Sequence, residues 1–339
     1  MKKNNKKIII VVPGGIGNAV MFIPAYESLK IQFPDSEFSL LTSNLGADKI
    51  FSRKNLKKIF IYKRSSKIDF IKLFFKILFF YNYDIFVAGM GINPFKAGIL
   101  GLAAKAGTRL GENLFFRTHK IFSDITVHEV ERNLKIIKPI ISKENLNIIF
   151  PLDITENDCK EADALFAEYD IDFSADKYIG THIGSNDFLA AKRWSKENFG
   201  ILFDLINRYF PQYPILLFGG ANESDYAKDL KTKARIINFT GKLNLHASAA
   251  AIEKCKLFIT NDSGLMHIAA AVNTPIVALF GPTIKTKNSP YSQNSTVISK
   301  NYDCQPCYKY NKNISCNFDF KCMKDIKPEE VFETLKKYL

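Results

Sequence analysis

The chain has 339 residues, 47% of them apolar, which suffices for two ordinary domain cores and argues against a single small module. Its 47 lysines and arginines against 34 acidic residues leave a net charge of +13, which points to anionic partners such as nucleotides, phosphorylated glycans, acidic membrane or nucleic acid without choosing among them. No uninterrupted apolar run approaches the roughly 20 residues that span a bilayer; the basic start Met1 to Lys7 meets Pro13-Gly14-Gly15 too soon for a signal core, so a cytoplasmic protein, soluble or membrane-peripheral, is expected.

Lys7 to Val12 reads as a buried first strand running into Pro13-Gly14-Gly15-Ile16-Gly17-Asn18. A helix near Ala19 to Gln32 follows, then strands near Glu37 to Leu41, Lys58 to Ile61 and Asp84 to Val87, the pattern of a parallel α/β sheet. The glycines lack Gly-x-Gly-x-x-Gly spacing, and the next strand ends Leu40-Leu41-Thr42-Ser43 where a ribose-binding acid belongs, so a nicotinamide cofactor is disfavoured. The loop reads either as a tight turn using glycine's backbone freedom or as a place where an acceptor approaches Gly15, Gly17 and Asn18.

Ile68 to Phe80 sets Lys72 and Lys76 one turn apart among aromatic and aliphatic residues; a helix lying on a membrane and a buried helix with one wet edge both fit. Farther on, Arg109, Arg117, His119, Lys120, His128 and Arg132 bring positive charge near the ligand end of the first half. They suit acceptor phosphates or carboxylates, though each also reads as an ordinary surface residue.

A new series begins after Pro151-Leu152-Asp153, giving an acceptor-side domain over 1–153, a second domain over 154–325 and a closing helix over 326–339. Its elements are helix Glu156 to Tyr169, strand Tyr178 to His182, helix Lys196 to Tyr209, strand Pro214 to Phe218 and helix Glu223 to Lys233. Two Rossmann-like parallel-sheet halves result. Ligands of such sheets bind beyond the carboxyl ends of the strands, so the halves are expected to face a central cleft.

In the second half, Ile183-Gly184-Ser185-Asn186 is the glycine-bearing turn and puts Ser185 at the ligand end. Lys192-Arg193-Trp194 precedes a helix that Ser195 would cap; the motif either binds a diphosphate with the Trp194 ring on the cleft wall or is a solvated basic turn over a core tryptophan. Glu223, at the end of Phe218-Gly219-Gly220-Ala221-Asn222-Glu223, either accepts from ribose hydroxyls or complements a helix dipole.

The most informative stretch is Asn261-Asp262-Ser263-Gly264-Leu265-Met266-His267-Ile268-Ala269-Ala270-Ala271, set between two apolar runs. It reads as strand, tight turn, small-residue helix, strand, and the free amides and dipole at that helix start favour phosphate. Asp262 would repel a phosphate placed directly on it, so its partner is a sugar hydroxyl, while Ser263, Gly264 and His267 face the anion. That mixture fits a nucleotide sugar. Cys304-x2-Cys307-x8-Cys316-x5-Cys322 gathers four of the six cysteines, which in a reducing compartment read as a structural zinc site or free thiols rather than disulfides.

Together these residues resemble glycosyltransferase family 9, the lipopolysaccharide heptosyltransferase family, over nearly the whole length. The likeness is carried by Gly15-Ile16-Gly17-Asn18, Pro24-Ala25 and Phe33-Pro34 in the first half. In the second it is carried by Lys192-Arg193-Trp194, Gly219 to Glu223, Asp262-Ser263-Gly264 with His267, Gly281-Pro282-Thr283 and the cysteine tail ending Ile326-Lys327-Pro328.

The resemblance implies a GT-B fold, with acceptor in the first domain and nucleotide-diphosphate sugar in the second. It implies inverting transfer of a sugar, foremost heptose from ADP-heptose, to a lipopolysaccharide core or related surface glycan, with no catalytic metal and no required cofactor. The partners implied are an anionic glycolipid and the inner-membrane surface, and no nucleic acid is expected. By position, Lys192 would neutralise the leaving diphosphate, Glu223 would hold ribose, the Leu243 backbone would lie near the base, and Asp262, Ser263, Gly264 and His267 would hold sugar and phosphates. Where known heptosyltransferases carry an aspartate proposed as general base, this chain has Asn18, which cannot take a proton at neutral pH and is expected to orient the acceptor hydroxyl beside the catalytic Lys192 and Asp262. Two competitors stay open: a nucleotide-sugar epimerase of the same architecture, and a basic nucleic-acid-binding protein, against which stands the absence of an aromatic-interleaved basic motif.

Overall fold

The computed structural model describes residues 5–172, 178–185, 187–307 and 316–339. Two compact units divide the chain, Met1–Asp153 and Ile154–Leu339. The break follows a charged clasp inside the first unit: buried Lys54 donates to the Pro151 carbonyl at 2.8 Å and pairs with Glu27 at 2.9 Å and Asp153 at 2.8 Å, which ties the end of that unit to its own body.

In the first unit, β1 (Lys7–Val12), β2 (Glu37–Ser43), β3 (Lys58–Tyr62), β4 (Ile85–Ala88) and β5 (Thr108–Gly111) form a parallel sheet in the order β3-β2-β1-β4-β5. Ile8 to Val12 are all buried, as a central strand of such a sheet requires when both faces are covered. The order turns back between β1 and β4, and the helix Ile16–Gln32 starts directly beyond β1, so Asn18 stands at a switch point of the kind where ligands bind. The helix Lys67–Phe80 buries only Leu73 and Ile77. It is not a core helix with one wet edge: a continuous outer face is exposed.

In the second unit, β6 (Ile179–His182), β7 (Ile215–Leu217), β8 (Ile236–Asn238), β9 (Leu257–Asn261), β10 (Ile276–Phe280) and β11 (Ser295–Ser299) form a parallel sheet in the order β11-β10-β9-β6-β7-β8. Here the reversal lies between β6 and β9, with His182 opposite Thr260, so the ends of these two strands define the second switch point. The helix expected over 223–233 is confined to Ser224–Lys228, because Asp204 draws Thr232 Oγ1 and the Lys233 amide to itself at 2.7 and 2.6 Å and holds the chain out of helical register. The last helix, Pro328–Leu335, begins with proline at its first position and packs Val331, Phe332 and Leu335 against the helix Lys196–Tyr209.

Candidate functional site

Asn261 organises the second switch point. Fully buried, it donates through Nδ2 to the carbonyls of Ile183 (2.9 Å) and Gly184 (3.1 Å) and accepts from the Trp194 amide through Oδ1 (3.0 Å), so one side chain joins the turn after β6 to the basic motif. Ser263 caps the helix Gly264–Ala271 and takes the Met266 amide at 3.4 Å. A helix start leaves its first amides without intrahelical acceptors, and their partial positive charge is suited to an anion.

Lys192 reaches this helix start: its Nζ is 2.8 Å from Asp262 Oδ2. Burial alone would raise the Asp262 carboxyl, but the charge and hydrogen bond of Lys192, the Thr283 hydroxyl and the nearby His267 hold it below the usual aspartate range. Asp262 is therefore an anion that can accept from sugar hydroxyls, with a cation beside it. His267 is buried one turn into the helix.

His182, at the end of β6, is a site residue that sequence reasoning passes over. Its Nδ1 lies 2.9 Å from Ser263 Oγ and its Nε2 donates to Glu223 at 3.0 Å, so it links the two predicted donor-binding segments. A carboxylate only accepts, which leaves Nδ1 facing the serine hydroxyl. Glu223 also accepts from the Gly220 amide at 2.9 Å. Burial would raise its carboxyl, yet the hydrogen bond and charge of His182, the Gly220 amide and Arg193 bring it below the ordinary value. Gly184 is required by this arrangement, since a Cβ there would stand 1.9 Å from Glu223 Oε1.

Other donor-side residues fall differently. Trp194 does not line a ligand surface: it is fully buried, edge-on to Phe199 at 4.9 Å, and its Nε1 donates to the Ile326 carbonyl at 2.9 Å, which pins the C-terminal segment. The tryptophan is core because Phe199, Leu202 and Phe203 of the following helix close over it. Ser185 is buried, its carbonyl accepting from Arg193 at 2.6 Å, and Asn186 lies outside the described residues. Leu243 is half-buried beyond β8, between the left-handed Gly241 and the cap Asn244 of the helix Leu245–Glu253.

At the first switch point the glycines do not serve backbone freedom, since Gly15 caps its helix with φ of −81° and neither Gly14 nor Gly17 has a positive φ. Gly14 is instead needed for its missing side chain: a Cβ would lie 2.2 Å from Asn18 Oδ1, so the Asn18 side chain packs directly on the Gly14 backbone. Asn18 Nδ2 donates to Glu129 Oε1 at 2.8 Å.

The expected acceptor cations divide. Arg132 is not available to an acceptor; it is buried, forked onto Glu112 at 2.8 and 2.5 Å and bonded to Ser123 at 2.8 Å. His128 caps the helix Glu129–Ile137, its Nδ1 accepting from the Val130 amide at 3.1 Å, which commits that nitrogen to structure. Arg109 donates to the backbone carbonyls of Phe116 and Ala106. Arg117 and Lys120 remain exposed, the first bonded to the Leu114 carbonyl and the second lying over the Phe122 ring.

Cys304, Cys307, Cys316 and Cys322 are free thiols, and among the described residues no three or more His, Cys, Asp or Glu side chains are arranged to hold a metal ion. Cys322 is buried in the core beside Met323, while Cys304 is exposed. Burial, and then the neighbouring thiols, push Cys322 up to about 11.

A family model for glycosyltransferase family 9 (heptosyltransferase) matches residues 75–317. The chain belongs to glycosyltransferase family 9. This family 9 member is 27% identical to lipooligosaccharide heptosyltransferase 2 of Campylobacter jejuni over 338 residues, 98% of each chain. Its fold matches the solved family 9 glycosyltransferase of Veillonella parvula with a TM-score of 0.78 at 23% identity, covering 100% of this chain and 98% of that one. It matches ADP-heptose lps heptosyltransferase II of Escherichia coli with a TM-score of 0.71 at 23% identity, covering 98% of each. The fold is GT-B, and family membership makes the protein a glycosyltransferase rather than an epimerase or a nucleic-acid-binding module.

Proposed function

We propose that this family 9 enzyme transfers heptose from ADP-heptose, with inversion, to a lipopolysaccharide or lipooligosaccharide core acceptor at the cytoplasmic face of the inner membrane. The observation that carries the reading is Lys192 beside Asp262 at the start of the Gly264–Ala271 helix. Amides, helix dipole and ammonium together stabilise the negative charge that builds on a departing diphosphate, while Asp262 accepts from hydroxyls of the sugar. The carboxylate of Glu223 keeps acceptor capacity for ribose beyond its bonds to His182 and Gly220, and the Leu243 backbone flanks the base.

The acceptor hydroxyl attacks the anomeric carbon as the bond to the diphosphate oxygen breaks, and ADP leaves with the electron pair. Asn18 orients that hydroxyl, Gly15 and Gly17 let the acceptor come close to the chain, and Arg117 and Lys120 meet acceptor phosphates. The charge of Lys192 and the helix start serves the diphosphate here without a metal, and a structural zinc remains the expected role of Cys304, Cys307, Cys316 and Cys322. Relatives named as lipooligosaccharide heptosyltransferases support the substrate pair, and the exposed apolar and basic face of the Lys67–Phe80 helix supports work at a membrane.

The test is a thermal-shift panel of ADP-, GDP- and UDP-sugars followed by transfer to core-truncated lipopolysaccharide. A ligand at 100 times its Kd stabilises by about 2.7 kcal/mol, so ADP-heptose should raise Tm well above the other donors and yield an extended glycolipid. Indifference to ADP-sugars, or isomerised donor without acceptor, would overturn the proposal.

A further inference from the structure

In the function proposed above, Asn18 orients the acceptor hydroxyl, and an amide cannot take its proton at neutral pH. The surroundings of that amide supply another kind of help. Glu129 Oε1 accepts from Asn18 Nδ2 at 2.8 Å across 111 residues of sequence. Because a carboxylate has no proton to give, this bond decides which end of the Asn18 amide is nitrogen. Oδ1 packs on the bare backbone of Gly14, where a Cβ would stand 2.2 Å from it. Glu129 itself is 1% exposed and sits in the first turn of the Glu129–Ile137 helix, whose dipole favours a negative charge there.

We propose that Glu129 is a positioning residue for the acceptor: it locks Asn18 with Oδ1 turned to the acceptor hydroxyl and, through the shared hydrogen bond, strengthens that oxygen as an acceptor. The inference rests on the transferase reading given above. A hydrogen bond from the amide nitrogen to a buried carboxylate polarises the amide and loads its oxygen with negative charge, and such chains strengthen cooperatively in a low dielectric. The Asn18–Glu129 pair thus presents an oriented, polarised amide oxygen to the hydroxyl. Glu129 is too enclosed to meet the acceptor, so the hydroxyl proton passes to water once the new carbon–oxygen bond is largely formed.

Glu129→Gln keeps shape and burial but lets both amides rotate. Its kcat for transfer should fall about tenfold to a hundredfold, with KM for ADP-heptose and the thermal shift caused by ADP unchanged. Asn18→Asp sets two carboxyls within hydrogen-bonding distance, which forces them to share a proton and raises one pKa, so its pH–rate profile gains a limb that the wild type lacks. Joining the two changes leaves one carboxylate at position 18 and should return kcat to within about threefold of wild type, a strongly non-additive outcome for residues acting as a unit. Wild-type turnover in Glu129→Gln, or a double variant no better than the product of its singles, overturns the role of Glu129 alone. A wild-type protein that binds no ADP-sugar and transfers nothing overturns the transferase reading and this role with it.

Discussion

Lys192 Nζ and Asp262 Oδ2 stand 2.8 Å apart with side chains only 11% and 7% exposed, so the cation offered to a diphosphate is also the partner of a buried carboxylate. Removing one member of such a pair strands the other, at a cost of about 3–5 kcal/mol. Lys192→Ala should therefore lower Tm as well as cut kcat by roughly a hundredfold, the scale of losing one transition-state charge contact. Lys192→Ala joined to Asp262→Ala should recover much of the Tm and none of the turnover. Calorimetry and steady-state kinetics on the three proteins check this; a double variant with restored turnover would refute the charge role of Lys192.

The carboxyls of Asp262 and Glu223 both lie below their ordinary values in the folded protein, in spite of burial that pushes the other way. A depressed folded value means that the unfolded chain binds the proton more readily, so stability rises with pH through this window. Their contribution is complete above the unfolded values of about 3.9 and 4.3 and is lost as pH falls through the folded ones. The second unit should accordingly lose stability steeply below about pH 4, and Asp262→Asn should flatten that slope. Urea titrations between pH 3 and 6 give the comparison; equal slopes for variant and wild type would show that Asp262 does not carry it.

How much of this is legible in the chain depends on how far apart the cooperating residues lie. The β9 strand, Ser263 cap and Gly264–Ala271 helix are contiguous, and periodicity and cap chemistry reveal them directly. His182 draws its role from Ser263 and Glu223, 81 and 41 residues away, and nothing beside it announces either partner. Arg132 looks like a surface cation until Glu112, 20 residues earlier, folds onto it. Trp194 sits between basic neighbours that suggest a ligand loop, while its own surroundings come from the following helix and from Ile326. The short β5, β8 and β11 strands lack the long apolar runs by which a buried strand is recognised.

Gly184 and Glu223 provide a test of geometry alone. A Cβ on Gly184 would fall 1.9 Å from Glu223 Oε1, a position no carboxylate can keep. Gly184→Ala should displace Glu223 from His182 and destabilise the protein by about 1–3 kcal/mol. If Glu223 holds the ribose, KM for the nucleotide sugar rises severalfold while kcat at saturation changes little. A variant with unaltered Tm and KM would mean that the Glu223–His182 contact is dispensable.

The helix Lys67–Phe80 repeats Ile68, Ile71, Lys72, Phe75, Lys76 and Phe79 at helical spacing on one exposed face, with Phe79 68% exposed and stacked on Phe75 at 5.9 Å. Asp69, the one acid in this helix, is half-buried and faces the Lys63 amide, so the outer face is purely apolar and cationic. Each lysine near an anionic bilayer is worth about 1 kcal/mol, and the aromatic rings settle at the headgroup level. Lys72→Glu with Lys76→Glu should weaken binding to vesicles rich in phosphatidylglycerol by at least about thirtyfold, and Phe75→Ser with Phe79→Ser should weaken binding at any ionic strength. Neither pair touches the switch-point residues, so turnover on a short water-soluble acceptor should hold at the wild-type level while turnover on vesicle-borne acceptor falls. Co-sedimentation with anionic and zwitterionic vesicles, run beside the two assays, decides the matter: equal sedimentation of wild type and variants would remove the membrane role from this helix, and self-association abolished by the phenylalanine changes would assign the face to a second copy of the chain.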